Sequence, residues 1–152
     1  MSVKGRFSVD TNILIYAVDR DAGDRHEQSK DLIGQAAKRD CILTVQVLAE
    51  FYYATTRKNL LEPSHAKNFI HDWLNVFRIA AADSTTLVGA MEAVKEHHLS
   101  FWDAMIWAVA RQAGCSVIIS EDMQGGQRPG GIEILNPFSS DTAGRLESLF
   151  EA

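Results

Sequence analysis

Residues 6–17 read RFSVDTNILIYA, and this stretch decides the fold class of the 152-residue chain. Residues 6–9 predict a short first strand, and Asp10, Thr11 and Asn12 predict the turn from that strand into an apolar helix. An acidic residue therefore lies where a buried strand ends. Because burying an ionised carboxylate is costly without a compensating positive charge, this position indicates a bound cation or a functional role.

The same alternation of strand and helix continues along the chain. Further strands are predicted at 41–44, 78–82, 116–120 and 132–135, and helices at 24–38, 45–57, from 63 onward, 84–96 and 101–113. Short apolar strands alternating with helices indicate an α/β fold with three layers, α/β/α, around a central, mostly parallel sheet. The length and the 46% hydrophobic content fit a single domain over residues 1–152, with a core at about 7–138 and a short C-terminal tail that carries one short helix.

Three more acids occupy comparable places in the predicted fold. Glu50 lies about two turns into the helix that follows the second strand, Asp103 lies in the first turn of the helix before the 116–120 strand, and Asp122 follows that strand. In parallel sheets the carboxyl ends of the strands share one edge, where ligands bind. All four acids, Asp10 included, are therefore predicted to meet at one edge of the sheet.

Each acid also has a purely structural interpretation. The SFWD segment at 100–103 has the spacing of a capping box, in which the serine and the acid satisfy free backbone amides. Asp10 could serve only the strand-to-helix turn, and Glu50 could be a boundary residue of its helix. Asp122 could be a turn residue, and the adjacent Glu121 competes with it for any role in the site. Four unrelated structural roles would rarely place four acids at one edge of the sheet, so the joint pattern favours a shared site.

Charge and ligand type point to a hard cation. The formal net charge is −5, and the four acids supply −4 of it, which leaves −1 for the rest of the chain. A nearly neutral remainder neither supports nor excludes a nucleic-acid partner. Carboxylate oxygens select Mg²⁺ or Mn²⁺, which keep several waters while bound.

Other metal and nucleophile chemistries find no support in the sequence. Cys41 and Cys115 lie far apart beside apolar segments, so we interpret both as reduced, packed thiols. The five histidines fall on predicted polar helix faces or helix ends, where we expect surface positions. The sequence contains neither a G-x-S-x-G elbow nor a P-loop, and we interpret the glycine-rich segment 125–131 as a flexible connection. The sequence also has neither an apolar segment of membrane-spanning length nor a signal peptide, so we expect a cytoplasmic protein.

Four segments occur in an order that resembles a known family. They are DTNILIYA at 10–17, VQVLAEFY at 45–52, FWDA at 101–104 and SEDM at 120–123. Together they resemble the PIN-domain ribonucleases, and most closely the VapC toxins of type II toxin-antitoxin systems.

This resemblance implies an activity, partners and a set of site residues. The activity would be cleavage of structured RNA, tRNA or rRNA, that depends on Mg²⁺, with Mn²⁺ as a substitute. The partners would be a second copy of the chain in a homodimer and a small VapB-like antitoxin. Carried over by position, the metal-binding acids are Asp10, Glu50, Asp103 and Asp122, the supporting polar residues are Thr11, Asn12 and Ser120, and Glu121 is a possible substitute acid. Two other functions stay open: a PIN nuclease of ordinary RNA maturation or DNA processing, and a catalytically silent PIN-fold module that binds proteins.

Overall fold

The computed structural model describes residues 2–123 and 127–151 of the chain. Its strands are β1 (Phe7–Val9), β2 (Cys41–Thr44), β3 (Arg78–Ala80), β4 (Val117–Ile119) and β5 (Glu133–Leu135). Its α-helices are α1 (Thr11–Val18), α2 (Asp24–Ala36), α3 (Val45–Arg57), α4 (Pro63–Val76), α5 (Ser84–His97), α6 (Phe101–Gln112) and α7 (Ala143–Glu151). Three short 3₁₀ helices lie at Arg20–Ala22, Pro129–Gly131 and Ser140–Thr142.

The five strands form one sheet in the order β3-β2-β1-β4-β5, and every pair of neighbours is parallel. Phe7 of the central strand β1 is in register with Cys41 of β2 and with Val117 of β4. The chain runs outward from β1 to β3 on one side and then returns to the other side for β4. Such a switch point opens a crevice at the carboxyl ends of the central strands, which is where Asp10 lies.

The predicted α/β architecture with a central parallel sheet is confirmed. The three inner strands β1, β2 and β4 are fully buried, as expected for a sheet covered by helices on both faces. The apolar helix α6 is buried from Ala104 to Ala110, and it packs on α5 and β2. Within the described part of the chain the sheet is wholly rather than mostly parallel.

The C-terminal tail forms the one predicted short helix, α7, and this helix joins the hydrophobic core. Leu149 is buried, and the ring of Phe150 lies 5.7 Å from that of Phe7. The Arg39 side chain donates a hydrogen bond to the backbone carbonyl of Phe150. The tail thus covers the central strand.

The glycine-rich segment is more ordered than expected where the structure describes it. Pro129, Gly130 and Gly131 form a 3₁₀ helix, and the Trp107 indole N–H donates to the Pro129 carbonyl at 2.9 Å. The interpretation of this part as a flexible connection is therefore wrong, because a buried tryptophan needs a hydrogen-bond acceptor and finds it here. Gly125 and Gly126 lie outside the described residues.

Both cysteines are buried free thiols, as predicted. His65, His71 and His98 are exposed as expected, whereas His26 and His97 are partly buried. None of the helices within residues 2–123 and 127–151 has both the length and the apolar character needed to cross a membrane.

Candidate active site

Asp10 sits at the centre of the candidate site, at the end of the central strand. It is the N-cap residue of α1, and its Oδ1 accepts a hydrogen bond from the Thr11 amide at 2.7 Å. Its Oδ2 accepts from the Ser120 hydroxyl, which follows the adjacent strand β4, at 2.6 Å. Asp10 is 6% exposed, so the structure gives it both the capping role and a place in the shared site.

Glu50 approaches Asp10 from helix α3, and two donors hold its carboxylate. The Thr11 hydroxyl donates to Oε2 at 2.9 Å, and Gln46 Nε2 donates to Oε1 at 2.7 Å. Thr11 therefore links Asp10 and Glu50. Gln46 is a site residue that sequence reasoning missed, although its spacing of four residues from Glu50 on one helix is a signal that predicts such a pair.

Asp103 lies in the first turn of α6, where the structure shows the serine half of the predicted capping box. Ser100 is the N-cap residue, and its hydroxyl accepts from the Asp103 amide at 3.4 Å. The Asp103 carboxyl is half-buried, and burial raises its pKa, opposed by Ser100 and assisted by the charges of Glu50 and Asp122. Asp103 therefore belongs to the first turn of the helix and to the acidic site at once.

These residues surround one open cavity of about 350 Å³ at the carboxyl edge of the sheet. All four predicted metal-binding acids line it, together with two of the three supporting polar residues and three further side chains of α1 and α3. The lining residues are Asp10, Thr11, Asn12, Ile15, Glu50, Tyr53, Ala54, Asp103 and Asp122.

Among the acids of the cavity, Asp10 has the most strongly raised pKa. Burial raises the pKa of its carboxyl from 3.8 to about 6, although the hydrogen bonds from Ser120 and Thr11 act in the opposite direction. The negative charges of Asp103 and Glu50 supply smaller parts of this increase in the pKa. A fraction of the protein thus holds a proton on Asp10 at neutral pH, and a cation would displace it.

Asn12 supplies an independent sign that a ligand belongs in the cavity. Both its side-chain oxygen and its nitrogen are buried, and neither has a hydrogen-bond partner in the described part of the chain. A buried amide without partners costs about 1 to 3 kcal/mol, so such a group is normally satisfied by a ligand, an ion or water. Asn12 is among the residues that line the cavity, so we expect its partner, water or an ion, to come from there.

The two neighbouring acids Glu121 and Asp122 differ in their surroundings. Glu121 accepts from the Tyr16 hydroxyl at 2.6 Å and from Arg25 Nε at 2.7 Å. Burial raises the pKa of Glu121, but these two hydrogen bonds and the charge of Arg25 outweigh it, so its pKa is lowered. Asp122 is exposed and lines the cavity, whereas Glu121 does not. The geometry therefore favours Asp122 as the fourth acid.

The donor set fits a hydrated Mg²⁺ better than a closed protein cage. Within residues 2–123 and 127–151 no three acidic, histidine or cysteine side chains converge as a ready-made metal cluster. The carboxylates of Glu50 and Asp10 instead accept hydrogen bonds from Thr11, Gln46 and Ser120. Mg²⁺ needs only one or two carboxylates because it retains water ligands, and an unpartnered amide oxygen suits the same ion. Metal binding by these residues stays a prediction.

Solved structures with a similar fold come from bacterial toxin-antitoxin proteins. The VapC20 toxin of Mycobacterium tuberculosis, described as cleaving the sarcin-ricin loop, matches with a TM-score of 0.62 and 22% identity over 78% of this chain and 91% of that chain. The DNA-bound VapBC complex of Salmonella typhimurium contains a chain that matches with a TM-score of 0.64 and 18% identity, over 87% and 98%. A toxin-antitoxin complex from Klebsiella pneumoniae gives 0.61 and 20%, also over 87% and 98%. At these identities the likeness establishes the fold.

Comparison with curated protein sequences gave no match. A family model described as the PIN domain matches residues 8–124, which is most of the chain and includes all four acids of the cavity. The match begins in the central strand and ends just beyond Asp122. The chain belongs to the PIN domain family.

Proposed function

We propose that this protein is a Mg²⁺-dependent endoribonuclease that hydrolyses phosphodiester bonds in RNA. The observation that carries the proposal is the single cavity lined by Asp10, Glu50, Asp103 and Asp122 at the carboxyl edge of the sheet. Four carboxylates in one cleft repel a polyanion unless cations offset them, so the arrangement supports a metal-dependent reaction on phosphate.

Four acidic side chains would be available to hold such an ion. Asp10, held by hydrogen bonds at both oxygens, is the buried acid of the cavity, and Glu50, oriented by Thr11 and Gln46, is partly buried. Asp103 is also partly buried, and Asp122 is exposed to solvent. Each carboxylate oxygen has two lone pairs, so the oxygens that accept hydrogen bonds keep capacity for a cation.

Bound Mg²⁺ would supply a positive charge that lowers the pKa of a nearby water and stabilises the developing charge on the phosphate oxygens. The protein must then keep its acids ionised and in place. Ser120 and the Thr11 amide do this for Asp10, because both donate to it and so favour its charged form. Mn²⁺ offers the same chemistry at such oxygen sites.

We also propose that the protein acts as the toxin of a toxin-antitoxin pair. The supporting observation is that similar folds include the VapC20 toxin and chains of toxin-antitoxin complexes from several bacteria. A small VapB-like antitoxin and a second copy of this chain are the partners this proposal implies. The proposed targets are structured RNAs, tRNA or rRNA, in the cytoplasm. A neighbouring reading frame for a small DNA-binding protein would support the toxin over housekeeping RNA maturation.

The decisive experiment is cleavage of cellular RNA by the purified protein, followed by sequencing of the new ends. We expect cleavage in Mg²⁺, none in excess EDTA, and a loss of at least about 100-fold in rate for Asp103→Asn. Asp72→Asn, which removes an exposed acid of α4 that is not part of the cavity lining, is the matched control and should cleave normally.

Full cleavage in EDTA, or normal cleavage by a folded Asp103→Asn variant, would contradict the nuclease proposal. Calorimetry separates it from a catalytically silent module. A silent module would fail to bind Mg²⁺ or Mn²⁺ at concentrations of about 1 to 10 mM, where hydrated divalent sites normally fill.

A further inference from the structure

Two large aromatic side chains of the site elements are turned toward solvent: Tyr53 lines the acidic cavity, and Trp102 immediately precedes Asp103 in α6. Tyr53 is 62% exposed and Trp102 is 63% exposed, the two highest values among the exposed large hydrophobic residues of the described chain. Tyrosine and tryptophan rings carry large apolar faces that usually bury against something. Their positions next to the proposed catalytic acids give that surface a specific context.

Tyr53 continues the functional face of helix α3. It follows Glu50 by three residues and precedes Arg57 by four, so the three side chains share one side of the helix. Tyr53 lines the acidic cavity directly. The Arg57 guanidinium lies over its ring, 5.6 Å from the centroid. A flat aromatic surface and a cation therefore extend outward from the carboxylates along this helix.

Trp102 is fixed to the same site from the other side. It precedes Asp103 in α6, and its backbone carbonyl accepts from Gln46 Nε2 at 3.1 Å. The same nitrogen donates to Glu50 at 2.7 Å. The Phe101 ring packs edge-on against the Trp102 ring, with centroids 4.9 Å apart. One amide thus ties the Trp102 backbone to a catalytic carboxylate, while the outer part of the indole stays free.

Resting on the proposed nuclease function, we propose that Tyr53 and Trp102 stack on unpaired nucleobases that flank the phosphate held at the acidic cavity. Aromatic rings bind bases by stacking without regard to sequence, and a base must be unpaired to present its face. Arg57 adds a positive charge that offsets the repulsion between the acids and the incoming strand. The substrate class is therefore RNA with single-stranded nucleotides at the cleavage site, such as a loop, rather than a continuous duplex.

The exposed apolar face of helix α5 has a different character. Leu87, Val88, Met91 and Val94 form an aliphatic face on α5, and none of them lines the acidic cavity. Aliphatic side chains offer no planar surface for a base, whereas Tyr53 and Trp102 do and also adjoin the acids. This contrast favours RNA over a protein as the occupant of the aromatic pair.

Anisotropy of a short, unstructured, fluorescein-labelled oligoribonucleotide tests the proposal, in the Asp10→Asn background with Mg²⁺ so that the RNA stays intact. We expect Trp102→Ala and Tyr53→Ala each to weaken binding by about 5- to 100-fold, and Trp102→Phe and Tyr53→Phe to retain most of it. Tyr52→Ala removes a neighbouring tyrosine that is 41% exposed and lies outside the cavity lining, so it should bind normally.

A second set of oligonucleotides isolates the stacking contact. Each oligonucleotide carries a single abasic site at a different position. At one or two positions the missing base should weaken binding to the Asp10→Asn protein, because a stacking contact is lost. The same missing base should cause no further loss of affinity when Trp102→Ala or Tyr53→Ala is also present. The proposal would be overturned if the alanine variants bound intact RNA as tightly as the Asp10→Asn protein that keeps both rings. The proposal would also fail if the alanine substitutions weakened binding equally for intact RNA and for every abasic RNA. A third contrary outcome is an unchanged RNA affinity of the alanine variants together with a smaller sedimentation coefficient, which would assign the aromatic pair to contact between protein chains.

These outcomes are separate from those of the nuclease proposal. Binding is measured without cleavage, whereas the nuclease proposal stands or falls on cleavage by the wild-type chain. A wild type that binds RNA through the two rings but never cleaves it would reject the activity and keep the stacking contact. A double variant, Tyr53→Ala with Trp102→Ala, that cleaves RNA at the wild-type rate would keep the activity and reject the stacking contact.

Discussion

Asp10 accepts hydrogen bonds from two donors, the Thr11 amide and the Ser120 hydroxyl, which orient it but do not cancel its charge. Burial raises the pKa of its carboxyl from 3.8 to about 6, so keeping it ionised in the folded, metal-free protein costs about 3 kcal/mol at neutral pH. The unfolded chain pays no such cost. Asp10 thus reduces stability in the absence of metal, as expected for a residue whose position serves a ligand.

Asp10→Asn should stabilise the metal-free protein by about 1 to 3 kcal/mol at about pH 8, because the neutral amide keeps the shape and loses the buried charge. The pKa of the acid is raised in the folded state, so the penalty is absent below about pH 4, grows between pH 4 and 6, and is complete above that range. Urea unfolding in EDTA at several pH values measures it. A wild type more stable than Asp10→Asn at about pH 8 would contradict the assignment.

The adjacent acids Glu121 and Asp122 provide a second test at this scale. Glu121→Gln should lower the unfolding temperature, because it weakens the pairing with Arg25 and Tyr16, and it should leave the rate of RNA cleavage nearly unchanged. Asp122→Asn should do the opposite, with a normal unfolding temperature and a higher Mg²⁺ requirement. Thermal unfolding and a Mg²⁺ titration of the cleavage rate measure both, and an exchange of the two phenotypes would make Glu121 the fourth acid.

At the scale of elements, the order of the parallel strands creates the site. β1 lies between β2 and β4, so Asp10 after β1 and Ser120 after β4 are neighbours although 110 residues separate them. Helix α3 follows β2 and brings Glu50, and helix α6 begins at the same edge and brings Asp103. Each acid belongs to a different element, and the acids become neighbours only because the parallel sheet brings these elements together at one edge.

The 3₁₀ helix at Pro129–Gly131 shows how tightly one element can constrain a residue. Gly130 has φ of +60°, and a Cβ there would lie 2.5 Å from Cζ2 of the buried Trp107. Gly130→Ala should therefore cost about 2 to 4 kcal/mol, from left-handed backbone and steric overlap together. Gly34→Ala, in the exposed face of α2 with no atom near the new Cβ, should instead add about 0.5 to 1 kcal/mol.

Chemical denaturation of the two alanine variants compares them directly. Equal effects would mean that Gly130 tolerates a side chain and that Trp107 can move.

At the scale of the whole molecule, the acidic cavity couples stability to metal. A ligand that binds only the folded state stabilises it in proportion to the logarithm of its concentration. We therefore expect Mg²⁺ or Mn²⁺ to raise the unfolding temperature of the wild type by several degrees, and we expect the lowest unfolding temperature in EDTA. Asp103→Asn should respond much less, and Asp72→Asn should respond like the wild type.

Differential scanning fluorimetry over a metal titration measures these responses. An equal rise for wild type and Asp103→Asn would place the metal elsewhere. The same titration below about pH 6 should need more Mg²⁺, because a proton on Asp10 then competes with the ion.

The sequence by itself determined the elements and the four candidate acids. Strand ends, helix periodicity and capping residues are local signals, and they placed α3 and β2 at their observed bounds and Asp103 in the first turn of α6. Because carboxyl ends of parallel strands meet at one edge, the convergence of the acids also followed from the pattern.

Only the tertiary structure decided how the neighbours of these acids divide their roles. Arg25 and Tyr16 engage Glu121 across about a hundred residues of sequence, which leaves Asp122 on the cavity. The unpartnered amide of Asn12 and the exposed rings of Tyr53 and Trp102 likewise depend on which side chains the fold leaves free. Such contacts join residues that are distant in the chain, and no local periodicity or capping pattern encodes them.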